Sequence, residues 1–197
     1  MKKILACAVG IFSCIAFAQT PAPAPVPTKA EPEKKAAMAE APPMPKLPAE
    51  GRKWIDMNRG NWNSNDVVMT MGDQVMKGKM SMRCEAASNN WATLCHAKFN
   101  LGKSMPPSNA TFLYAWNIGS NEATMFEVSD MAEVHTHTGK WTDDKTITIT
   151  HSGNTADGKY EVDALTFTWT SPKEVMIKAQ GTQGGNVMWS MTATAKK

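Results

Sequence analysis

Of the motifs in this chain, His135-Thr136-His137 has the residue types and spacing that best suit a chemical role such as metal binding. In a β-strand, residues two positions apart point to the same face, so both imidazole rings project side by side. Two such nitrogens can bind Zn²⁺ or Cu²⁺, but a metal site normally needs a third or fourth ligand. Three residues could supply it: Glu133, His96 and His151. The simplest interpretation is a pair on a solvated strand face, and a ligand-contacting or pH-sensing pair is the other alternative.

Methionine is the second residue type that could do chemistry, with 15 in the chain. Met69 and Met71 share one strand face, and Met80 and Met82 share another. Thioethers bind Cu(I), but methionine also fills cores and lines adaptable apolar pockets. The strand periodicity favours core or pocket lining. If copper is bound, these four methionines and the histidine pair are the predicted ligands.

The sequence lacks the motifs of the common enzyme classes. There is no Gly-x-Ser-x-Gly elbow, no His-Glu-x-x-His helix and no glycine-rich phosphate loop between a strand and a helix. Asp143-Asp144 falls in a predicted turn, where it is better explained by turn chemistry than as a catalytic carboxylate pair. We therefore predict that the protein is not an enzyme and carries no cofactor.

The elements that position these residues are β-strands, because period-two alternation runs from about Gly60 to Ala195. Phe112, Tyr114 and Trp116, for example, share one face. Turn signals between the alternating segments predict about nine or ten strands: 62–71, 75–86, 91–101, 110–118, 123–129, 133–141, 145–151, 158–170, 173–181 and 186–194. The short connections suit an up-and-down order, and closure into a barrel removes exposed strand edges.

The predicted fold is thus all-β, a single antiparallel up-and-down β-barrel. A short helix over 46–58 is predicted to cap one end, with Trp54 and Ile55 as its apolar contacts. Trp62, one of seven tryptophans, is predicted to plug the barrel floor. The sequence does not determine which face of the strands points inward, because a register slip of one residue exchanges the two faces.

Cys84 and Cys95 lie symmetrically about Asn89-Asn90. If those asparagines form a two-residue hairpin turn, the cysteines face each other directly. In that register they form a hydrogen-bonded pair, the wider of the two antiparallel pair types. We nevertheless predict a disulfide between them. Two free thiols and a redox pair are the alternatives, although a redox pair is more typically Cys-x-x-Cys at a helix start.

Residues 1–18 read as a signal peptide. Lys2 and Lys3 precede an apolar run, and Ala16-Phe17-Ala18 predicts cleavage before Gln19. Lipid modification at Cys14 is the alternative, although Phe12 fits such a site poorly. No later stretch has the length of a transmembrane helix. The protein is therefore predicted to be periplasmic or secreted.

Residues 19–50 are predicted to be a disordered tether and residues 51–197 a single domain. Nine of the 12 prolines lie between Pro21 and Pro48, in a segment with few large apolar side chains to bury. The formal net charge is +3, and removal of Lys2 and Lys3 leaves +1. No clustered basic surface is evident, so nucleic acid is not a predicted partner. Attachment to the cell envelope through the tether is one interpretation.

Three landmarks carry a resemblance to a known family. They are Gly60-x-Trp62, then Phe112-Leu113-Tyr114-Ala115-Trp116, then Gly139-Lys140-Trp141-Thr142-Asp143-Asp144. In this order they resemble a large bacterial family of small exported, lipocalin-like (calycin-type) β-barrel proteins of unknown function, over roughly 60–197. The resemblance implies a barrel that holds a small apolar ligand and implies no reaction. Lipocalins usually place an arginine late in the chain, against the first-strand tryptophan; Lys196 and Lys197 stand there in this chain.

The predicted function is non-enzymatic binding of a small apolar or amphipathic molecule inside the barrel. The predicted ligand-contacting residues are Tyr114, Trp116, Met125, His135, His137, Phe167, Trp169 and Trp189. No metal is predicted by default; the alternative, a periplasmic copper- or zinc-handling protein, would use His135, His137, Met80 and Met82. A third alternative is a structural envelope protein whose barrel is filled by its own side chains.

Overall fold

The computed structural model describes residue 43 and residues 45–131, 134–155 and 158–197. The predicted signal peptide and nearly all of the predicted tether lie outside these residues. One helix precedes ten strands: α1 (Ala49–Asn58), β1 (Gly60–Met71), β2 (Gln74–Ala87), β3 (Ala92–Asn100), β4 (Ser108–Asn117), β5 (Glu122–Ser129), β6 (Val134–Trp141), β7 (Thr146–Asn154), β8 (Tyr160–Ser171), β9 (Glu174–Gln183) and β10 (Asn186–Lys196). The predicted strands are confirmed, with ends that differ by a few residues.

The ten strands form one closed antiparallel barrel in up-and-down order. Each strand pairs with the next along the chain, and β10 returns to pair with β1, from Asn63 opposite Lys196 to Met71 opposite Trp189. Every strand therefore has two neighbours, and the sheet has no unpaired edge. The predicted fold class is confirmed. No helix among the described residues is long and apolar enough to cross a membrane.

A bulge in β1 shifts the register of this strand against both neighbours. Asp66 lies at the bulge, where its Oδ1 accepts hydrogen bonds from the Ser64 hydroxyl at 2.6 Å and from the Thr194 amide at 2.9 Å. These hydrogen bonds hold the pKa of Asp66 below its ordinary value, since they favour the carboxylate. The carboxylate thus links β1 to β10 at the point where their ladder is interrupted.

The aromatic face of the alternating strands points inward. Phe112, Tyr114 and Trp116 of β4 are buried, as are Phe167 and Trp169 of β8. The threonine face points outward, where hydroxyls of facing threonines meet across strands, as between Thr148 and Thr166 at 3.0 Å. The structure therefore settles the orientation that the sequence leaves open.

Helix α1 closes one end of the barrel by inserting Trp54, which is fully buried together with Ile55. The Trp54 ring meets the rings of Tyr114, Phe167 and Trp169 edge to face, with centroids 5.2, 5.7 and 6.2 Å apart. Gly51 of the helix rests on Trp116, where a Cβ would lie only 2.6 Å from the ring. The predicted capping helix is confirmed.

The helix is shorter than predicted, because it begins at Ala49 and not at Lys46. Pro48 has extended backbone angles and precedes the first helical residue. Proline also disfavours a helical conformation in the residue before it, which excludes Leu47 from the helix.

The disulfide between Cys84 and Cys95 is confirmed. The two residues face each other in the β2–β3 ladder, as predicted, but the turn is longer than predicted, since Ala87 pairs with Ala92 and four residues form the loop. The Cα atoms of the cysteines are 4.0 Å apart. This is the spacing of the closer, non-hydrogen-bonded pair type, so the expected wide pair is wrong.

Candidate functional site

The barrel contains a cavity of about 200 Å³ at the end away from α1. The wall combines strand residues with residues of the β3–β4 and β5–β6 connections, Leu101, Met105 and Met131 among them. Much of it is apolar and soft, since five methionines contribute: Met69, Met71, Met105, Met131 and Met191.

One side of this cavity carries a belt of ionisable side chains that crosses four adjacent strands. We call it the polar belt, and it consists of Glu127 on β5, His135 and His137 on β6, His151 on β7 and Asp163 on β8. The strand register creates it: Glu127 stands directly opposite His135, and His151 directly opposite Asp163. Four of the five line the cavity, and His151 lies beside them.

The imidazole rings of the polar belt are in mutual contact. His135 and His151 stack with centroids 4.4 Å apart and planes 10° from parallel. His137 lies 5.8 Å from His135 and 5.6 Å from His151, centroid to centroid. Nδ1 of His135 is 3.4 Å from Oδ2 of Asp163. Asp163 is a buried residue, with 1% of its surface exposed. Ligand atoms of Glu127, His135 and His137 all lie within 4.8 Å of one another.

His151 lies beside His135 and His137 because it is the first residue of β7 beyond the end of the β6–β7 ladder. The last pair toward this end is Thr138 opposite Thr150. Beyond it, Nδ1 of His151 lies 3.1 Å from the carbonyl oxygen of Thr136. A carbonyl oxygen only accepts hydrogen bonds, so Nδ1 carries the hydrogen and donates this bond. The His151 ring thus takes the place of a ladder hydrogen bond.

His137 is the most deeply buried imidazole of the polar belt, with 1% of its surface exposed. Burial is the main cause that lowers its pKa to about 4, and the neighbouring rings of His135 and His151 contribute to the same shift. The ring is therefore neutral near pH 7. Its Nδ1 has no hydrogen-bond partner among the described residues. Because Nδ1 of this buried, neutral ring lacks a hydrogen-bond partner among those residues, His137 is suited to binding a molecule or an ion in the cavity.

The predicted ligand-contacting residues divide into two groups. His135, His137 and Trp189 line the cavity. The other five lie in the filled half of the barrel: Tyr114, Phe167 and Trp169 around Trp54, Trp116 against α1, and Met125 fully buried. Burial, and the charge of Glu127 nearby, raise the pKa of Tyr114 well above its ordinary value, so its hydroxyl stays protonated.

The candidate metal ligands divide in a similar way. Met69 and Met71 line the cavity with the histidine pair, whereas Met80 and Met82 are buried on β2 outside its wall. His96 is on the outer surface, with its Nδ1 3.2 Å from the Thr111 hydroxyl. Glu133 lies outside the described residues. Of the two proposed additional ligands that the structure describes, His151 lies against the histidine pair and His96 does not.

Sequence reasoning missed both carboxylates of the polar belt. Each carried a usable signal: Glu127 follows Met125 at a spacing of two, and Asp163 precedes Leu165 and Phe167 in the same way. An acidic residue on an otherwise apolar strand face is costly to bury, so it marks a functional candidate.

Gly181 on β9 leaves space for the side chains of Trp189 and Asp163, which both line the cavity. A Cβ at this position would lie 2.0 Å from Nε1 of Trp189 and 2.7 Å from Oδ1 of Asp163. No other residue type leaves room for both, because such contacts are far inside van der Waals separation. Glycine here places an indole edge beside a buried carboxylate.

Comparison with known proteins gives no family assignment. No protein-family model matches the chain, and no curated protein matches it. One solved structure, titled "De novo design of transmembrane beta-barrels", is 12% identical, with 71% of this chain and 96% of that chain covered and a TM-score of 0.29. A likeness at this level is too weak to say anything about function.

Proposed function

We propose that this protein binds a small amphipathic molecule in the cavity of its barrel and catalyses no reaction. One observation carries the proposal: the barrel is filled by Trp54 and its neighbours in one half and keeps a cavity of about 200 Å³ in the other. A purely structural barrel would gain stability by filling this space, because voids in a core are destabilising.

The cavity volume limits the size of the bound molecule. It corresponds to about seven water molecules at roughly 30 Å³ each. This lies below the range of pockets for drug-sized ligands, roughly 300–1,000 Å³. The cavity therefore suits a small molecule, or one end of a longer chain whose remainder leaves through the mouth.

The polar and apolar parts of the wall orient the bound molecule. Met71 and Met131 line the cavity and are 43% and 49% exposed, so they form its mouth. His137 and Asp163, each 1% exposed, lie at its buried side. The head group of an amphipathic ligand then lies against the polar belt, and its apolar part lies against the methionines.

The chemistry of the buried side favours one kind of head group. Glu127, Glu161 and Asp163 contribute carboxylate oxygens to the wall, and ionised carboxylates only accept hydrogen bonds. A head group that donates hydrogen bonds or carries a positive charge complements them. An anionic head group would meet like charge in a poorly solvated space, which is unfavourable.

Export from the cytoplasm is part of the same proposal. The Cys84–Cys95 disulfide supports it, since such bonds persist in oxidising compartments. The sequence of residues 1–18 supports it independently. The predicted tether would then hold the barrel at a distance from whatever anchors it.

The test compares three probes with the same eight-carbon chain and different head groups: octylamine, octanol and octanoate. Isothermal titration calorimetry is carried out on the full chain in the presence of a chelator. Octylamine should bind with 1:1 stoichiometry, octanol more weakly, and octanoate most weakly. Absence of binding by all three would contradict the proposal and favour the purely structural role.

Two cavity variants and one matched control on the outer surface locate the binding. Ala179→Leu fills the cavity from β9, and the smaller change Ala110→Val fills it from β4. The control, Lys178→Leu, introduces leucine at the position next to Ala179, where the side chain faces outward. The two cavity variants should weaken octylamine binding, the first by about tenfold or more, and Lys178→Leu should leave it unchanged. Equal affinity in all three would place the binding outside the cavity.

A further inference from the structure

We propose that Glu127, His135 and His137 form a binding site for one divalent transition-metal ion, for which Zn²⁺ is the probe. The site goes beyond the organic ligand proposed above, because its three ligands all come from the protein. Two imidazoles and one carboxylate are a donor set that suits zinc and related ions.

The barrel register brings these three ligands together. His135 and His137 are two residues apart on β6 and point to the same side. Glu127 on β5 stands directly opposite His135. Facing side chains on adjacent strands have Cβ atoms about 5 Å apart, and a diagonal neighbour remains within reach of long side chains. Glu127 is therefore adjacent to both imidazoles.

The distances fit a site whose three ligands can close around one ion. The three ligand atoms lie within 4.8 Å of one another. Ligand atoms on one tetrahedral Zn²⁺ are about 3.3 Å apart, given metal–nitrogen bonds of about 2.0–2.1 Å. No pair therefore has to approach by more than about 1.5 Å, a change that rotations of the side chains can provide.

A second observation points to the same place. The His137 side chain is almost completely buried, and its Nδ1 has no hydrogen-bond partner among the described residues. Buried polar groups in proteins nearly always have a partner. A metal ion, or a water molecule bound to one, would satisfy this ring at the cavity wall.

The neighbours of the site are arranged as around known metal centres. Asp163 Oδ2 lies 3.4 Å from Nδ1 of His135. A carboxylate on one ring nitrogen orients a metal-ligating histidine, and it leaves the other nitrogen, Nε2, for the ion. The His151 ring stacks on the His135 ring, where it limits the rotation of His135. Asp163 and His151 are thus positioning residues.

Three protein ligands leave a fourth coordination position. Sites with three protein ligands and an open position hold water or a bound molecule there, whereas structural zinc sites use four protein ligands. His135, His137 and Glu127 all line the cavity, so the open position faces its interior. A molecule in the cavity can then bind the ion directly.

The test is a metal titration of the full chain without an added polyhistidine tag and without any organic ligand. Metal is first removed with a chelator, and Zn²⁺ is then added and followed by calorimetry and native mass spectrometry. We expect one ion per chain. Co²⁺ in place of Zn²⁺ should give the intense visible absorption of a four-coordinate site.

Five variants assign the ligands. Glu127→Gln, His135→Gln and His137→Gln should each weaken binding by about 100-fold or more. Asp163→Asn, which alters a positioning residue, should weaken it by about 10-fold. His96→Gln, on the outer surface, is the matched control and should have no effect. Circular dichroism of each metal-free variant verifies that it is folded.

Two results would overturn the proposal. One is the absence of stoichiometric binding by the unaltered chain. The other is binding that His137→Gln leaves intact or that His96→Gln removes, since the ion would then lie elsewhere. Because this titration contains no organic ligand and the octylamine titration contains a chelator, failure of one proposal leaves the other standing.

Discussion

The ammonium group of Lys197 lies 4.4 Å from the centroid of the Trp62 ring. The indole is otherwise buried, and its Nε1 donates to the carbonyl oxygen of Asn58 at 2.9 Å. Partial burial lowers the pKa of Lys197. The lysine, at the end of the chain, thus places its cation over the ring of the first-strand tryptophan.

Replacement of Lys197 should separate charge from packing at this contact. Lys197→Met keeps the length of the side chain but removes the cation, and it should lower the free energy of unfolding by about 0.5–1 kcal/mol. Lys197→Arg keeps a cation that stacks on an aromatic ring and should be neutral or stabilising. Urea denaturation measures both. Equal stability of the methionine variant and the unaltered chain would show that the cation contributes nothing.

Trp54→Ala should be strongly destabilising, because it removes the ring around which the filled half of the barrel packs. Loss of a fully buried aromatic side chain costs about 3–5 kcal/mol. Trp91→Ala is the control, since Trp91 is only half-buried in the β2–β3 loop. Guanidinium denaturation should show a much larger change for Trp54. Similar values for the two variants would contradict the role assigned to α1.

Asp66 should contribute to loss of stability in acid. Its pKa in the folded chain is lowered, so its contribution to stability is present above the ordinary pKa near 4 and is lost as the pH falls through the folded-state value. Asp66→Asn should be less stable than the unaltered chain at pH 6, and the difference should shrink towards pH 2. Thermal unfolding across this range measures it. Asp73→Asn, which removes a carboxylate from an exposed turn, is the matched control for the substitution itself.

If both proposals hold, Zn²⁺ should reverse the head-group preference of the cavity. Without metal, the carboxylates of the polar belt favour octylamine over octanoate. With one equivalent of Zn²⁺, the open coordination position favours an oxygen anion, so octanoate should bind more tightly than octylamine. Calorimetry with and without the ion measures the change, and His137→Gln should abolish it. Zinc binding without a reversal would mean that the open position does not face the cavity.

Much of the fold could be predicted from local patterns. Alternation identifies the strands, such as Leu165, Phe167 and Trp169 on one face of β8. The symmetric placement of Cys84 and Cys95 predicts their register, which a longer loop does not change. These predictions are confirmed because each depends on residues that are close together in the sequence.

The composition of the site could not be predicted so fully, because it depends on register between strands. Glu127 meets His135 only through the pairing of β5 with β6, and His151 meets Asp163 only through that of β7 with β8. The position of the aromatic residues relative to the cavity could not be predicted for another reason. Their periodicity gives an inward face but not whether that face lines a cavity, and Trp54, from outside the strands, fills the space between Tyr114 and Phe167.

The pairing of β1 with β10 has a consequence for how the chain folds. Eight strands separate Asn63 from Lys196 in the sequence, so the pairing that closes the barrel joins the most distant residues of the ladder. Contacts of such long range slow folding, because the entropy of ordering a long loop must be lost before they form. Until then β1 exposes an open edge that can pair with another chain. Changes near Lys196 should therefore act first on refolding rate and aggregation during refolding.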